Sequence, residues 1–321
     1  MRILITGGSG FLGALLARTL LQHGQLGGGP VNELVLADLQ PPPDDLLADG
    51  RVRALTGALI AQCVGLRSES FDAVFHLAGA LSAECEADFD LGMRSNLDST
   101  RALLEAVRAA GNVPRFVFAS SLAVYGSDPG LPLPQIIRED TLPTPQSSYG
   151  VQKFICEQLV ADYTRKGFVD GRSARLVTVV VRPGKPSGAA SSFLSGIMRE
   201  PLKGEFAVCP VPPETKVALA SPARTIAGLI AVAEASRDAL GGRIAVNLPA
   251  LTVSVSEMLD ALESAAGTQA RALVLLQPDA EITRIVGGWP AVFDNTRAAR
   301  LGLEPDPDFL SILRAYQADH A

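Results

Sequence analysis

Tyr149-Gly150-Val151-Gln152-Lys153 sets a phenol and an ammonium four residues apart, with the hydroxyl pair Ser120-Ser121 upstream. On a helix of about 3.6 residues per turn, positions i and i+4 share a face, so both groups can address the same bound molecule. A free phenol, with a pKa of about 10, is a poor base at neutral pH, but a neighbouring cation stabilises the phenolate and lowers that value. Lys153 is placed to be that cation. A hydroxyl such as Ser121 can then hold a reacting alcohol or carbonyl oxygen about 3 Å from the phenol. This is the layout of a proton-transfer site. The spacing by itself also fits an exposed helix on which the two residues do nothing, so the reading needs a partner motif.

The partner lies at the other end of the chain. Arg2-Ile3-Leu4-Ile5-Thr6 is a β-branched and aliphatic run, Gly7-Gly8-Ser9-Gly10-Phe11-Leu12-Gly13 follows it directly, and residues 11–23 carry apolar side chains at helical spacing. Strand, glycine turn, helix is the order a dinucleotide site requires. Gly7 and Gly10 allow a tight turn and close approach to a pyrophosphate, Gly13 permits close helix packing, and the helix N-terminus faces the phosphates. Gly7, Ser9, Gly10, Phe11, Leu12 and Gly13 are therefore candidate cofactor-binding residues. A second strand, Leu34-Val35-Leu36-Ala37, ends at Asp38. An acidic residue there accepts hydrogen bonds from the adenosine ribose and repels a 2′-phosphate, so Asp38 favours NAD over NADP.

The glycine signature, Phe75-His76-Leu77-Ala78, Asn96 in Asn-Leu-Asp-Ser-Thr, the Ser120-Ser121-x-x-Val-Tyr-Gly segment and Tyr149-x-x-x-Lys153 together resemble the extended short-chain dehydrogenase/reductase family from Met1 to about Pro183. The resemblance implies a catalytic set of Ser121, Tyr149 and Lys153. It also implies a nicotinamide cofactor lying against Leu59, Leu77, Ala78, Asn96, Tyr149 and Lys153, with hydride moving between cofactor and a substrate carbon. Two departures stand out: Gly57-Ala58-Leu59 replaces the family's Gly-Asp-Leu, removing a side-chain contact to adenine, and Ser99 replaces a glycine.

The family contains dehydrogenases, epimerases and dehydratases, so the second half of the chain must decide. Sugar-nucleotide members carry an asparagine after the sixth strand, whereas this chain reads Val179-Val180-Val181-Arg182-Pro183-Gly184-Lys185, with Lys185 in that place. With Thr144 to Tyr149, Asp162 to Arg165, Gly167 to Gly171 and Arg199 to Leu202, this half resembles the branch whose members oxidise a four-carbon sugar acid, D-erythronate, at C2 with NAD to the 2-keto acid. A small carboxylate needs a cation and hydroxyl donors, and Lys185, Ser191, Ser192 and Arg199 supply both, with Ser82 and the catalytic Ser121 and Tyr149 as further substrate contacts. Lys185 is the first candidate for the carboxylate. Two alternatives remain open: an NAD-retaining UDP-sugar epimerase, and a non-catalytic NAD-binding regulator.

The supporting scaffold reads as an α/β chain, a Rossmann-type doubly wound parallel sheet with a smaller C-terminal substrate lobe. Residues 1–182 would form the NAD-binding domain, with 222–248, a helix over 222–237 and a strand over 244–247, returning to it. Residues 183–221 and 249–321 would form the smaller lobe, including a helix over 254–266 with Ser254 as N-cap and Glu257 three residues on. The third strand is expected over 51–55, and amphipathic stretches over 86–110 and 149–167 could pair two subunits in a homodimer. At 321 residues and 47% apolar content the chain can support such a core. Four scattered cysteines and three histidines suggest neither a disulfide framework nor a metal site. With a net charge of −6 and no basic stripe, nucleic acid is not an expected partner, and no apolar run approaches membrane-spanning length. A small-molecule sugar acid is the expected partner, and the cytoplasm the expected location.

Overall fold

In the computed structural model, the residues described are 1–184 and 191–320. Seven parallel strands form the central sheet in the order Val246–Asn247, Asp170–Leu176, Arg115–Ser121, Ala73–His76, Arg2–Thr6, Glu33–Asp38, Val52–Thr56. The chain starts in the middle, lays two strands to one side, then crosses back and builds outward on the other. The switch falls between Arg2–Thr6 and Ala73–His76, and open α/β sheets bind ligands beyond the carboxyl ends of strands at such a point. The architecture is the expected Rossmann-type α/β fold.

The strands are apolar almost throughout because both faces are covered. Ile3 and Ile5 point to one face, where Leu16, Leu20 and Leu229 of the Phe11–His23 and Pro222–Glu234 helices pack, and Leu4 points to the other, with Val74, Phe116, Leu103 and Val160. A second cluster is built around a three-stranded sheet of Leu251–Ser254, Lys216–Ala220 and Thr178–Val179 and the helices Ser192–Leu202 and Phe309–Asp319, with Leu194, Ile197, Val253, Leu262 and Leu313 at its centre. Ser254 caps its helix through a reciprocal bond with Glu257, as its spacing predicts, and Gly267 breaks that helix with a φ of 83°.

Several boundaries differ from the sequence reading. The run at Val179 is not a strand of the main sheet: Thr178–Val179 pairs with Lys216–Ala220, and the main-sheet strand is Asp170–Leu176. That strand escapes a hydrophobic pattern because Arg172, Ser173 and Arg175 are buried within it, the two arginines ion-paired where apolar side chains would be expected. Residues 86–110 are not one helix, since Ser82–Ala87, Phe89–Gly92, a π-helical Met93–Asp98 and Ser99–Ala110 follow in succession. The helix expected over 222–237 stops at Glu234, and a short one restarts at Arg237 under a Ser236 cap. The third strand is Val52–Thr56, one residue later than expected. Among the described residues, no helix is long and apolar enough to cross a membrane, and no group of three His, Cys, Asp or Glu could hold a metal ion. Cys63, Cys85, Cys156 and Cys209 are buried and unpaired with one another.

His76 ends a central strand, fully buried behind the site. Thr100 donates to the Asn96 carbonyl, so its oxygen accepts from His76 Nε2 at 2.8 Å, and Nδ1 accepts from Thr6 Oγ1 at 2.6 Å. Burial, with a smaller contribution from the Lys153 charge, pushes the imidazole down to about 3. In the unfolded chain it titrates at about 6.5, so below that pH the unfolded state binds the extra proton, and stability is lost as pH falls toward the folded value. Between pH 7 and pH 4 the wild type should therefore lose about 3 kcal/mol more than His76→Gln in urea unfolding. Parallel pH curves for the two would show that the imidazole is not held neutral.

Candidate active site

The phosphate loop is made by backbones in contact. Gly7 has a φ of +72°, and a Cβ there would lie 2.8 Å from Ala78 N, while a Cβ on Gly13 would lie 2.0 Å from Gly7 O. Only glycine permits both the left-handed turn and the seating of the helix against it. Gly10 is the N-cap of Phe11–His23 and makes no side-chain cap bond, so the first amides of that helix are open toward the loop. Asp38 closes the far side: its Oδ2 accepts from Ser9 N at 3.0 Å and its Oδ1 from Leu39 N at 2.6 Å. This places a carboxylate beside the loop, the chemistry that suits a ribose with free hydroxyls better than one carrying a 2′-phosphate. A cradle that Cβ atoms would fill, an uncapped helix N-terminus and Asp38 together fit a dinucleotide. At Gly57-Ala58-Leu59, Leu59 opens its helix without a side-chain cap, and the nearby Gln62 amide donates to Leu55 O and Gly57 O while its Oε1 is buried and unpartnered.

Tyr149 and Lys153 occupy the first turns of the Ser148–Arg165 helix, which begins under a Ser147 cap. Lys153 is buried, donates from Nζ to Ala119 O at 2.9 Å, and lies 5.6 Å from the Tyr149 ring centroid. Ser121 ends the neighbouring strand, and its Oγ accepts from Ala123 N at 3.1 Å, which leaves its O–H free to donate among the described residues. Gly150 makes the approach possible. A Cβ there would lie 2.1 Å from Ala123 O, so the helix start is pressed onto the turn that follows Ser121. The expected set of Ser121, Tyr149 and Lys153 is thus gathered at adjacent strand and helix ends. Asn96, also buried, donates to Gln152 behind Lys153.

The expected substrate contacts divide. Ser82 sits at the start of the Ser82–Ala87 helix, half-buried, and Ser191 and Ser192 are half-buried at the start of Ser192–Leu202. Lys185 lies outside the described residues. Arg199 is buried, ion-paired with Glu200 at 2.5 Å, and donates to Arg182 O at 2.9 Å, so its charge is already compensated by protein. A second cation, Arg182, which sequence reading passed over, lies near enough to Tyr149 for the two to interact electrostatically. Burial pushes its guanidinium below the ordinary value, and Tyr149 acts on it in the opposite sense. Arg182 Nε donates to Val179 O at 3.0 Å and its backbone N to Ser195 Oγ at 3.0 Å, and among the described residues no carboxylate pairs with it. Its position between the Val179 strand and Pro183 was the available signal, because a cation leaving a strand end beside a glycine turn points toward the ligand side.

A sheet of this order, with a glycine loop at its switch point, places the chain among the Rossmann-type proteins of the extended short-chain dehydrogenase/reductase class. It belongs to the NAD dependent epimerase/dehydratase family, whose profile matches residues 3–217, and the dinucleotide is NAD. A D-erythronate dehydrogenase of Cupriavidus necator is 50% identical over 99% of this chain and 98% of its own length. A second D-erythronate dehydrogenase, from Haemophilus influenzae, is 42% identical over 98% of each. Among solved structures, a nucleoside-diphosphate-sugar epimerase from Agrobacterium tumefaciens superposes with a TM-score of 0.91 at 40% identity, over 99% of this chain and 94% of that one.

Gly150→Ala should force the helix start off the Ala123 carbonyl and carry Tyr149 with it. A displacement of about 1 Å at a reacting group costs roughly 100-fold in turnover. NAD affinity, set mainly at the glycine loop, should stay within about threefold in a fluorescence titration. Unchanged turnover would show that the close approach does not set the geometry of the site.

Proposed function

We propose that the protein oxidises D-erythronate at C2 to the 2-keto acid with NAD. The observation that carries this reading is the near-full-length likeness to two D-erythronate dehydrogenases. When bound, NAD supplies the hydride acceptor. Tyr149, as phenolate, takes the proton of the C2 hydroxyl, Ser121 donates a hydrogen bond to the same oxygen, and the Lys153 ammonium stabilises negative charge on the phenol oxygen and holds the nicotinamide ribose. The loop residues Gly7, Ser9, Gly10, Phe11, Leu12 and Gly13 hold the pyrophosphate, Asp38 the adenosine ribose, and Leu59, Leu77, Ala78 and Asn96 border the cofactor.

Arg182 supports a 2-hydroxy acid in particular. The carboxylate of such a substrate is bonded directly to C2, so a cation beside Tyr149 holds the acid group while C2 reaches the phenol. Ser82, Ser191, Ser192 and Lys185 complete the reading as donors to the remaining oxygens, and Arg199 acts by holding the Arg182 carbonyl. Residues 1–182 with 222–248 form the cofactor domain and the remainder the substrate lobe, a division the two main apolar clusters support in outline, with Ala298 and Leu303 packing in the first and Val180 and Val181 in the second. Phe89, Val151 and Ile155, exposed at 60%, 41% and 38%, support pairing of two subunits through these outer helices. Four buried free thiols suit a reducing, cytoplasmic setting.

The epimerase named among the structural relatives gives a second reading, interconversion of a sugar nucleotide with NAD retained. Purified protein with NAD should form NADH with D-erythronate and not with L-threonate, L-erythronate or UDP-sugars. Conversion of a UDP-sugar without net NADH would establish the epimerase instead. Tyr149→Phe should lower turnover by about 1,000-fold and leave NAD binding intact. Arg182→Gln should raise the KM for the acid at least about tenfold, as loss of a charge-assisted contact does, with NAD affinity unchanged. Equal loss of NAD binding in either variant would assign that residue a structural role.

A further inference from the structure

Gln152 immediately precedes Lys153, is 1% exposed, and has no part in the chemistry above. Its Oε1 accepts from Asn96 Nδ2 at 2.7 Å. Asn96 Oδ1 accepts from Ala80 N at 2.8 Å, and Asn96 Nδ2 also reaches Ala80 O at 3.3 Å and Cys85 Sγ at 3.2 Å. The backbone amide of Ala80 requires an acceptor, so the Asn96 oxygen must face it and the Asn96 nitrogen must face Gln152. A Gln152 nitrogen in that place would set two donors against each other. Gln152 Nε2 itself is buried without a partner, in space left by Gly92, where a Cβ would lie 2.6 Å away.

The segment held in this way borders the cofactor site at both ends. Ala78 N lies 2.8 Å from where a Cβ on Gly7 would stand, and a Cβ on Gly79 would be 2.6 Å from Asn96 Oδ1 and 3.6 Å from Lys153 Nζ. Residues 78–80 therefore run from the phosphate loop to the Lys153 ammonium, fastened by the Asn96 amide. We infer that Gln152 is a positioning residue for NAD: its carbonyl fixes the Asn96 amide, and through it the segment 78–80 against which the dinucleotide lies. The inference rests on the NAD site and is independent of which substrate the enzyme oxidises.

The test is the NAD dissociation constant, by titration of protein fluorescence, for wild type, Gln152→Met, Asn96→Ser, the double variant and Gln152→Glu, each with its melting temperature. Gln152→Met keeps the volume and removes the acceptor, and should weaken NAD roughly tenfold, as loss of one buried hydrogen bond does. The double variant should bind NAD no more weakly than Asn96→Ser alone, because both changes break one chain of contacts. Gln152→Glu retains an oxygen toward Asn96 and should bind NAD more tightly than Gln152→Met. Wild-type affinity in Gln152→Met, losses that multiply in the double variant, or a Gln152→Glu as weak as Gln152→Met would each overturn the inference. A lowered melting temperature with unchanged NAD affinity would do so as well.

Discussion

The site depends on how one helix is clamped to the ends of two strands. Tyr149, Lys153 and Glu157 follow one another at four-residue intervals on a single face of Ser148–Arg165, and each successive turn meets a different anchor. At the first turn Gly150 rests on Ala123, at the second Lys153 donates to Ala119 O, and at the third Glu157 accepts from Ser120 and pairs with Arg175 at 2.7 Å. Both members of that pair are 3% exposed. Removing two charges from water is costly, and the pair persists because each carboxylate oxygen of Glu157 accepts a hydrogen bond and Arg175 donates in addition to Tyr125. Leaving either charge without its partner would cost about 3–5 kcal/mol, so the register of helix on strand is fixed well below the reacting groups.

Ser120 and Ser121 show how the pleat divides this work. Neighbouring residues of a strand point to opposite faces, so Ser120 turns inward to Glu157 while Ser121, at the strand end, turns the other way and accepts from Ala123 N. The buried serine holds the strand to the helix and the half-buried one remains free to donate. Arg182 repeats the arrangement from the other apolar cluster. Its backbone is tied to Ser195 and Arg199 of the Ser192–Leu202 helix, and its side chain donates to Val179 O within electrostatic reach of Tyr149. Lys153 of the helix thus lies on one side of the chemistry-bearing end, and Arg182, whose guanidinium has a carbonyl partner but no described carboxylate, comes from the second cluster.

Some of this was legible in the chain and some was not, for reasons that can be given residue by residue. The glycine loop, Asp38, Ser121, Tyr149 and Lys153 are visible because their roles depend on short spacings within single elements. The Asp170–Leu176 strand was hidden because Arg172, Ser173 and Arg175 are buried in it, and the partners of the two arginines, Asp170, the carbonyls of Val232, Ala233 and Ala235, and Glu157, are gathered only by folding. Arg182 and Arg199 look alike in sequence. Packing gives Arg199 a carboxylate and a carbonyl, and gives the Arg182 guanidinium a carbonyl but no described carboxylate. Residues 86–110 read as one amphipathic helix, yet the π-helical turn at Met93–Asp98 intervenes and carries Asn96, which donates to Gln152 behind Lys153.

Sequence alone determined the class of sheet and picked out the glycine loop and the candidate set of Ser121, Tyr149 and Lys153, because periodicity, glycine placement and i to i+4 spacing act over a few residues and survive without tertiary context. Tertiary structure alone decided which buried charges are neutralised, which arginine is left without a described carboxylate, and how an amide pair fastens the segment beside Lys153. Those outcomes turn on desolvation and on contacts between residues tens of positions apart, and neither quantity is written in any local pattern.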